Sequence, residues 1–205
     1  MKPTRIFAIA ILALAAIIGT TAIIINNLRD TGGGSGFATT SVSLGGPFTL
    51  TDNTGRRVTE ADFKGSWLLV YFGYTYCPDV CPTELQEMAV VMDMLGDAGN
   101  AVVPVFITVD PERDTTEAMA EYVAAFHPRM VGLTGSLADI SSVAKEYRVY
   151  YGKVKDPGGD PDAYLMDHSS FIYLMRPDGR NAAVFNGRMP AAEMAQAIDG
   201  MLRAN

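Results

Sequence analysis

The sequence predicts an α/β domain in which a mixed sheet is covered by helices on both faces. Two near-continuous apolar runs, "SWLLVYFGY" and "AVVPVFITVD", read as buried central strands. Between and after them, apolar residues recur at helical spacing. Near the C-terminus, "SSFIYLMRPDGRNAAVFNG" carries the signals of an antiparallel hairpin, and "AAEMAQAIDGMLR" follows it as a closing helix. Sequential βα units ahead of such a hairpin imply a sheet with both parallel and antiparallel pairs.

The elements follow in order. "FTLTDNTGRRVT" has strand-like residues broken by Asn53-Thr54-Gly55, which predicts a small hairpin. After the first buried strand and Pro82 the pattern turns helical through Leu85, Met88, Ala89 and Met92, with Pro82 suited to a first turn. Thr83 with Gln86 is expected to form a capping box. Asp110-Pro111 ends the second strand, and Asp114 or Thr115 caps the helix "TEAMAEYVAAF". "VGLTG" is a short strand, "SLADISSVAKEYRV" a helix, and Pro177-Asp178-Gly179 the turn of the late hairpin. The Gly-, Pro- and Asp-rich "GKVKDPGGDPDAY" (Gly152 to Tyr164) is expected to be a mobile excursion leading towards His168.

At 205 residues the chain has room for one domain plus appendages. Residues 6–25, "IFAIAILALAAIIGTTAIII", carry no charge. A helix of that length spans roughly 30 Å, enough to cross a bilayer core. Lys2 and Arg5 precede it, while Arg29 and Asp30 cancel behind it, so residues 1–5 are expected in the cytoplasm. Residues 6–25 are then a transmembrane anchor, 26–41 a flexible linker containing "TGGGSG", and 42–205 the exported domain. A cleaved signal peptide, with the small residues of "ALAA" around Ala15, is the alternative. A short N-terminus without an Arg- and Ser-rich presequence points to a bacterial cytoplasmic (inner) membrane with the domain in the periplasm. The net charge of −7 and the lack of a Lys/Arg cluster exclude nucleic acid as a partner.

The chemistry concentrates in "YFGYTYCPDVCPTELQEM", which holds Cys77 and Cys81, the only two cysteines. A bridge between residues four apart closes a very short loop and stabilises little. Both stand where a buried strand passes into a helix, where free N–H groups and the helix dipole favour thiolates. If the loop takes up a helical turn, their spacing puts both sulfurs on one side. A redox pair and a metal site both remain open on this evidence. Two soft thiolates suit Cu(I) or zinc, and a third ligand decides. Of the two histidines, His127 in "AFHPRM" sits at a helix end and reads as structural or solvated. His168 in "YLMDHSSFIYLM" directly precedes the hairpin strand expected beside the cysteine-bearing strand. Met88, Met92, Met166 and Met175 read as packing rather than ligands, as do Tyr71, Tyr74 and Tyr76.

Three blocks, "YFGYTYCPDVCPTEL", "FITVDPERDT" and "YLMDHSSFIYLM", carry a resemblance. From about Val42 to the C-terminus the chain resembles the thioredoxin-like superfold, and within it the Sco (SenC-type) copper-binding proteins of cytochrome oxidase assembly. The resemblance implies that Cys77, Cys81 and His168 are the ligands of copper, as Cu(I) or Cu(II), with the Asp110-to-Thr115 segment edging the site. Where thioredoxin-type oxidoreductases place a cis-proline, this chain has Asp167-His168-Ser169. The implied function is that of a membrane-anchored metallochaperone, not an enzyme, serving the binuclear copper centre of cytochrome c oxidase subunit II. An upstream copper chaperone and a thiol-disulfide reductase are implied partners. The alternative is a membrane-tethered thiol-disulfide reductase that keeps the subunit's cysteines reduced and cycles through a Cys77–Cys81 disulfide. A redox or copper sensor is a third class.

Overall fold

The structure is a computed structural model, and it describes residues 43–155 and 164–204. The expected anchor over residues 6–25 and the linker over 26–41 lie outside the described residues. Among the described residues no helix is long and apolar enough to cross a membrane.

The chain opens with β1 (Thr49–Asp52) and β2 (Arg57–Thr59), the hairpin expected around Asn53-Thr54-Gly55. Asp52 holds that turn by accepting from the N–H groups of Thr54 and Arg56. Then come β3 (Trp67–Gly73), α1 (Val80–Leu95), β4 (Val102–Thr108), α2 (Thr116–Ala124), β5 (Val131–Thr134) and α3 (Leu137–Glu146). β6 (Tyr151–Lys155), β7 (Tyr164–His168), β8 (Phe171–Met175), β9 (Asn181–Asn186) and α4 (Ala191–Arg203) complete it. Seven strands form one sheet in the order β2-β1-β5-β4-β3-β8-β9. β3, β4 and β5 run parallel to one another, while β1 and β8 pair antiparallel with β5 and β3. The sheet is mixed, as expected.

Every residue of β3 is buried, so both faces of the central strand are covered. Alternate side chains show by what. Phe72 points to the face where its ring meets Tyr147 at the end of α3, with centroids 5.2 Å apart. Tyr71 and Gly73 point to the other face, towards Cys81 in the first turn of α1. The antiparallel register Tyr71↔Ile172 carries the start of β8 to the carboxyl end of β3. The segment before β8 therefore arrives where the cysteine loop departs.

Two expectations need correction. α1 begins at Val80, ahead of Pro82, and Asp79 is its N-cap residue; the Thr83–Gln86 capping box does not form. Instead Thr83 donates from its hydroxyl to the Asp79 carbonyl at 3.0 Å. The first four N–H groups of a helix need no intrahelical acceptor, so proline is tolerated deeper in the first turn than its first position. Residues 156–163 of the expected excursion lie outside the described residues, and the described ends of the segment are strands. β6 and β7 pair antiparallel, with Tyr151 opposite His168 and Lys155 opposite Tyr164, as a separate two-stranded sheet. Other helix starts follow the sequence: Thr115 caps α2 by accepting from Ala118 N–H, and Ser136 caps α3 with Asp139 completing a capping box.

Gly73 is where the sheet and α1 approach most closely. A Cβ there would lie 2.7 Å from Cys81 Sγ and 2.9 Å from the Phe106 ring. Gly73→Ala should therefore overpack this junction and destabilise the fold by roughly 1–3 kcal/mol. A urea midpoint equal to that of the wild type would show that α1 can back away freely.

Candidate metal centre

Cys77 lies in the loop after β3 and Cys81 in the first turn of α1, so both sulfurs sit at a helix N-terminus. The Cys81 N–H points at Cys77 Sγ at 3.4 Å. His168 ends β7 and its Nε2 is 3.3 Å from Cys81 Sγ. The two Sγ atoms and a ring nitrogen of His168 all lie within 4.8 Å of one another. All three residues expected to be ligands are thus brought together, and among the described residues they form the one such cluster of three or more metal-ligating side chains. Both cysteines are free thiols, Cys81 fully buried and Cys77 at the margin of the core.

The environment fixes which atoms can donate. His168 Nδ1 stands 3.1 Å from the carbonyl of Ser169. With the proton on Nδ1 that contact is a hydrogen bond, and Nε2 keeps its lone pair facing the sulfurs. Tyr71 and Tyr74 meet the imidazole edge-on, with centroids 6.1 and 6.0 Å away, and set its plane. The two sulfurs divide one proton between them. Cys77 is held well below the usual thiol range, first by its hydrogen bond with Cys81, then by His168 and the backbone N–H groups of Asp79 and Cys81. Cys81 is pushed up by the neighbouring Cys77 sulfur and by burial. The pair holds one negative charge more readily than two, and the N–H donors at the start of α1 favour that charge on Cys77.

The Asp110-to-Thr115 segment edges the site through Arg113 and Asp114. The buried Asp114 carboxylate accepts from Thr75 N–H at 3.1 Å, Thr75 Oγ1 at 2.6 Å and Thr108 Oγ1 at 2.5 Å. It ties the cysteine loop to the end of β4. Glu84, one turn beyond Cys81, is also buried, and burial with Glu87 nearby pushes its carboxyl up to about 7. Sequence reasoning missed Glu84: a carboxylate among helical polar residues carries no mark of its burial. His127 stands apart from the cluster, its Nδ1 accepting from Arg129 N–H at 3.1 Å. Met88, Met92, Met166 and Met175 are core residues, as expected. No cis peptide occurs among the described residues.

The chain belongs to the SCO1/SenC family, whose model matches residues 38–203. The human mitochondrial SCO1 homolog is 45% identical over 162 residues, covering 78% of this chain and 53% of the human protein. The crystal structure of Arabidopsis thaliana ScoI with copper bound is 44% identical, covers 79% of this chain and 99% of that one, and superposes with a TM-score of 0.73. BsSco, a member of the Sco family of cytochrome c oxidase assembly proteins in which a disulfide switch has been identified, is 26% identical over 80% of this chain and 95% of its own, with a TM-score of 0.59. The thioredoxin-like α/β fold is shared with these structures. The chain spans about half the length of the curated relatives it matches. The expected bacterial inner-membrane location is overturned: curated relatives, the human and Arabidopsis proteins among them, are mitochondrial. The residues at the start of the sequence do not decide the location.

Two pH dependences follow. Because the Cys77 pKa is depressed, alkylation by iodoacetamide should modify Cys77 first and at a rate nearly flat between about pH 6 and 8, rather than rising tenfold per unit as for an ordinary thiol. Peptide mapping that finds Cys81 modified first would contradict the assignment. The raised Glu84 pKa means the folded chain holds this proton more tightly than the unfolded chain does. Its ionisation therefore lowers stability as pH climbs from the ordinary carboxylate range through about 7. Glu84→Gln should raise the urea midpoint at pH 8 relative to wild type, with the difference shrinking towards pH 5. A constant difference across that range would show that Glu84 ionises freely in the fold.

Proposed function

We propose that this chain is a copper metallochaperone that carries copper on Cys77, Cys81 and His168 and serves cytochrome c oxidase assembly. The observation that carries the reading is the convergence of two thiol sulfurs and one imidazole nitrogen within 4.8 Å. That donor set fits copper in either oxidation state: thiolates are soft ligands for Cu(I), and an added imidazole favours Cu(II). Copper is cargo here, exchanged between ligand sets without bond-making chemistry in the protein. Cys77 is already ionised and offers the first ligand. Cys81 must give up its proton as the metal enters, so uptake releases a proton and weakens with acidity. The copper-bound Arabidopsis structure supports the choice of metal. The family's link to oxidase assembly, printed for BsSco, supports the destination. Within that assembly the recipient is the binuclear copper centre of subunit II, with an upstream copper chaperone and a thiol reductase completing the exchange. The uncharged run over residues 6–25 supports attachment to a membrane.

The Cys77 thiolate favours a second reading, a thiol-disulfide reductase acting on the same subunit. Cys77 would attack a partner disulfide and form a mixed disulfide, releasing one partner thiolate. Cys81, on losing its proton, would then attack the Cys77 sulfur, closing a Cys77–Cys81 disulfide and releasing the second thiolate, so that the partner gains two electrons and this chain loses two.

His168 separates the readings. Cys77→Ser or Cys81→Ser should abolish tight copper binding under reducing conditions. His168→Ala should lose the thiolate-to-Cu(II) charge-transfer absorption. Its Cu(II) affinity should fall by more than the roughly 10–100-fold that removing a ligand's supporting partner costs, with a smaller loss for Cu(I). A His168→Ala chain that binds Cu(II) like the wild type and still supports oxidase assembly would replace the chaperone reading with the reductase.

A further inference from the structure

β6 and β7 form a sheet of their own, hydrogen-bonded to each other and not to the seven-stranded sheet. His168 therefore stands at a joint between the small sheet, which it ends, and β8 of the main sheet, which starts at Phe171. The inward face of β7 presents Tyr164, Met166 and His168 in succession, with Leu165 and Asp167 turned to solvent. Near His168 the hairpin is held by Ser169, whose N–H donates to the Tyr150 carbonyl at 2.9 Å. At its far end it is held by side chains, and these centre on Arg113.

The Arg113 guanidinium engages three chain segments at once. Its Nε pairs with Asp110, whose carboxylate is almost wholly buried. Its Nη1 donates to the Tyr164 carbonyl at 3.1 Å. Its Cζ lies 3.8 Å from the ring centroid of Tyr164 on β7, and 4.7 and 5.7 Å from those of Tyr76 and Tyr74 in the cysteine loop. Tyr164 closes the circuit by donating from its hydroxyl to Asp110 Oδ1 at 2.8 Å. Among the described residues the buried Arg113 Nη2 has no hydrogen-bond partner. Such an orphan is tolerated where the cation is surrounded by aromatic faces, which supply attraction that hydrogen bonds do not. The nearby Lys153–Glu112 pair is about half exposed and adds little.

We propose that Arg113 is a positioning residue of the metal centre: it fastens the His168-bearing hairpin to the cysteine loop and thereby holds the imidazole within reach of the two sulfurs. It touches no ligand atom, so it acts through His168. The requirement is a planar fork that binds a carboxylate and a carbonyl while stacking on tyrosines, which lysine cannot reproduce. The fastening itself stands without the metal; its effect on copper rests on the chaperone reading.

Two measurements on the full chain test it. In the metal-free protein, Arg113→Met should speed amide hydrogen exchange at residues 164–168 roughly tenfold, the loss of one charge-assisted hydrogen bond and its stacking, while β3 and β4 amides keep their rates. Unchanged exchange in the hairpin overturns the proposal. Should Arg113→Met fail to fold, Arg113→Lys keeps the charge and loses the fork, and the same comparison applies. With copper loaded, Arg113→Met should release Cu(II) roughly 10–100-fold faster and leave Cu(I) release near that of the wild type. In a His168→Ala background the same substitution should change nothing further. Equal acceleration in both backgrounds would show that Arg113 does not act through His168. A wild-type chain that takes up no copper would end the chaperone reading, and the hydrogen-exchange result would still decide the fastening.

Discussion

The site depends first on one strand pairing. Cys81 and His168 are 87 residues apart in sequence, yet their donor atoms lie 3.3 Å apart because β8 runs antiparallel to β3 in the Tyr71↔Ile172 register. A slip of one residue would turn every side chain of β8 to the opposite face and bury the wrong set. The register is held by what the strands carry: Ile172, Tyr173, Leu174 and Met175 are all buried against a β3 that is itself wholly buried. Core packing thus sets the position of a polar centre at the carboxyl end of the central strand. The cysteine loop is then secured from the other side by Asp114, which accepts from both the backbone and the hydroxyl of Thr75.

Electrostatics make the two sulfurs unequal. A thiolate in a buried place is unfavourable unless hydrogen-bond donors face it. Cys77 has such donors in the backbone N–H groups of the α1 N-terminus, whereas Cys81 lies deeper, its sulfur against Gly73. One negative charge is stabilised and the second is resisted. For a metal carrier this leaves one ligand ready and one that must be deprotonated on entry. For a reductase it leaves one nucleophile and one protected resolving thiol. The same asymmetry serves both chemistries, so the imidazole, and not the thiols, distinguishes them.

The central strands, the helices and the late hairpin were legible because continuous apolar runs, helical periodicity and turn residues are local signals. The three clustered residues were legible for another reason: they stand in short blocks whose composition is unusual. The β6–β7 hairpin was not. Its β6 residues are largely exposed, so Tyr151 to Lys155 show no apolar alternation, and the nearby glycines and prolines dominate the pattern. Arg113 was quoted within "FITVDPERDT" without its role being visible. Its partners come from two other stretches, Tyr74 and Tyr76 in the cysteine loop, which read in isolation as packing, and Tyr164 far along the chain. Three-body arrangements of this kind exist only in the folded chain.

The division of ligands between two frames has a consequence for any metal that must leave again. Cys77 and Cys81 are fixed by the sheet-to-helix junction, where the inner sulfur packs against Gly73. Moving them would mean disturbing the core. On one side His168 is tied to β8, which starts at Phe171 in the main sheet; on the other it ends a two-stranded sheet, and a hairpin alone is marginal without outside support. Its support is the buried Met166 together with a small set of polar and stacking contacts around Tyr164. The contacts around Tyr164 can open without unfolding the domain, since stability within a protein is not uniform. In the copper-carrying reading, the imidazole is therefore the ligand that yields first, leaving two sulfurs, a set that retains Cu(I) and holds Cu(II) poorly. Retention and release are then governed by different parts of one fold: the core sets how firmly the sulfurs hold, and the hairpin sets when the third ligand lets go.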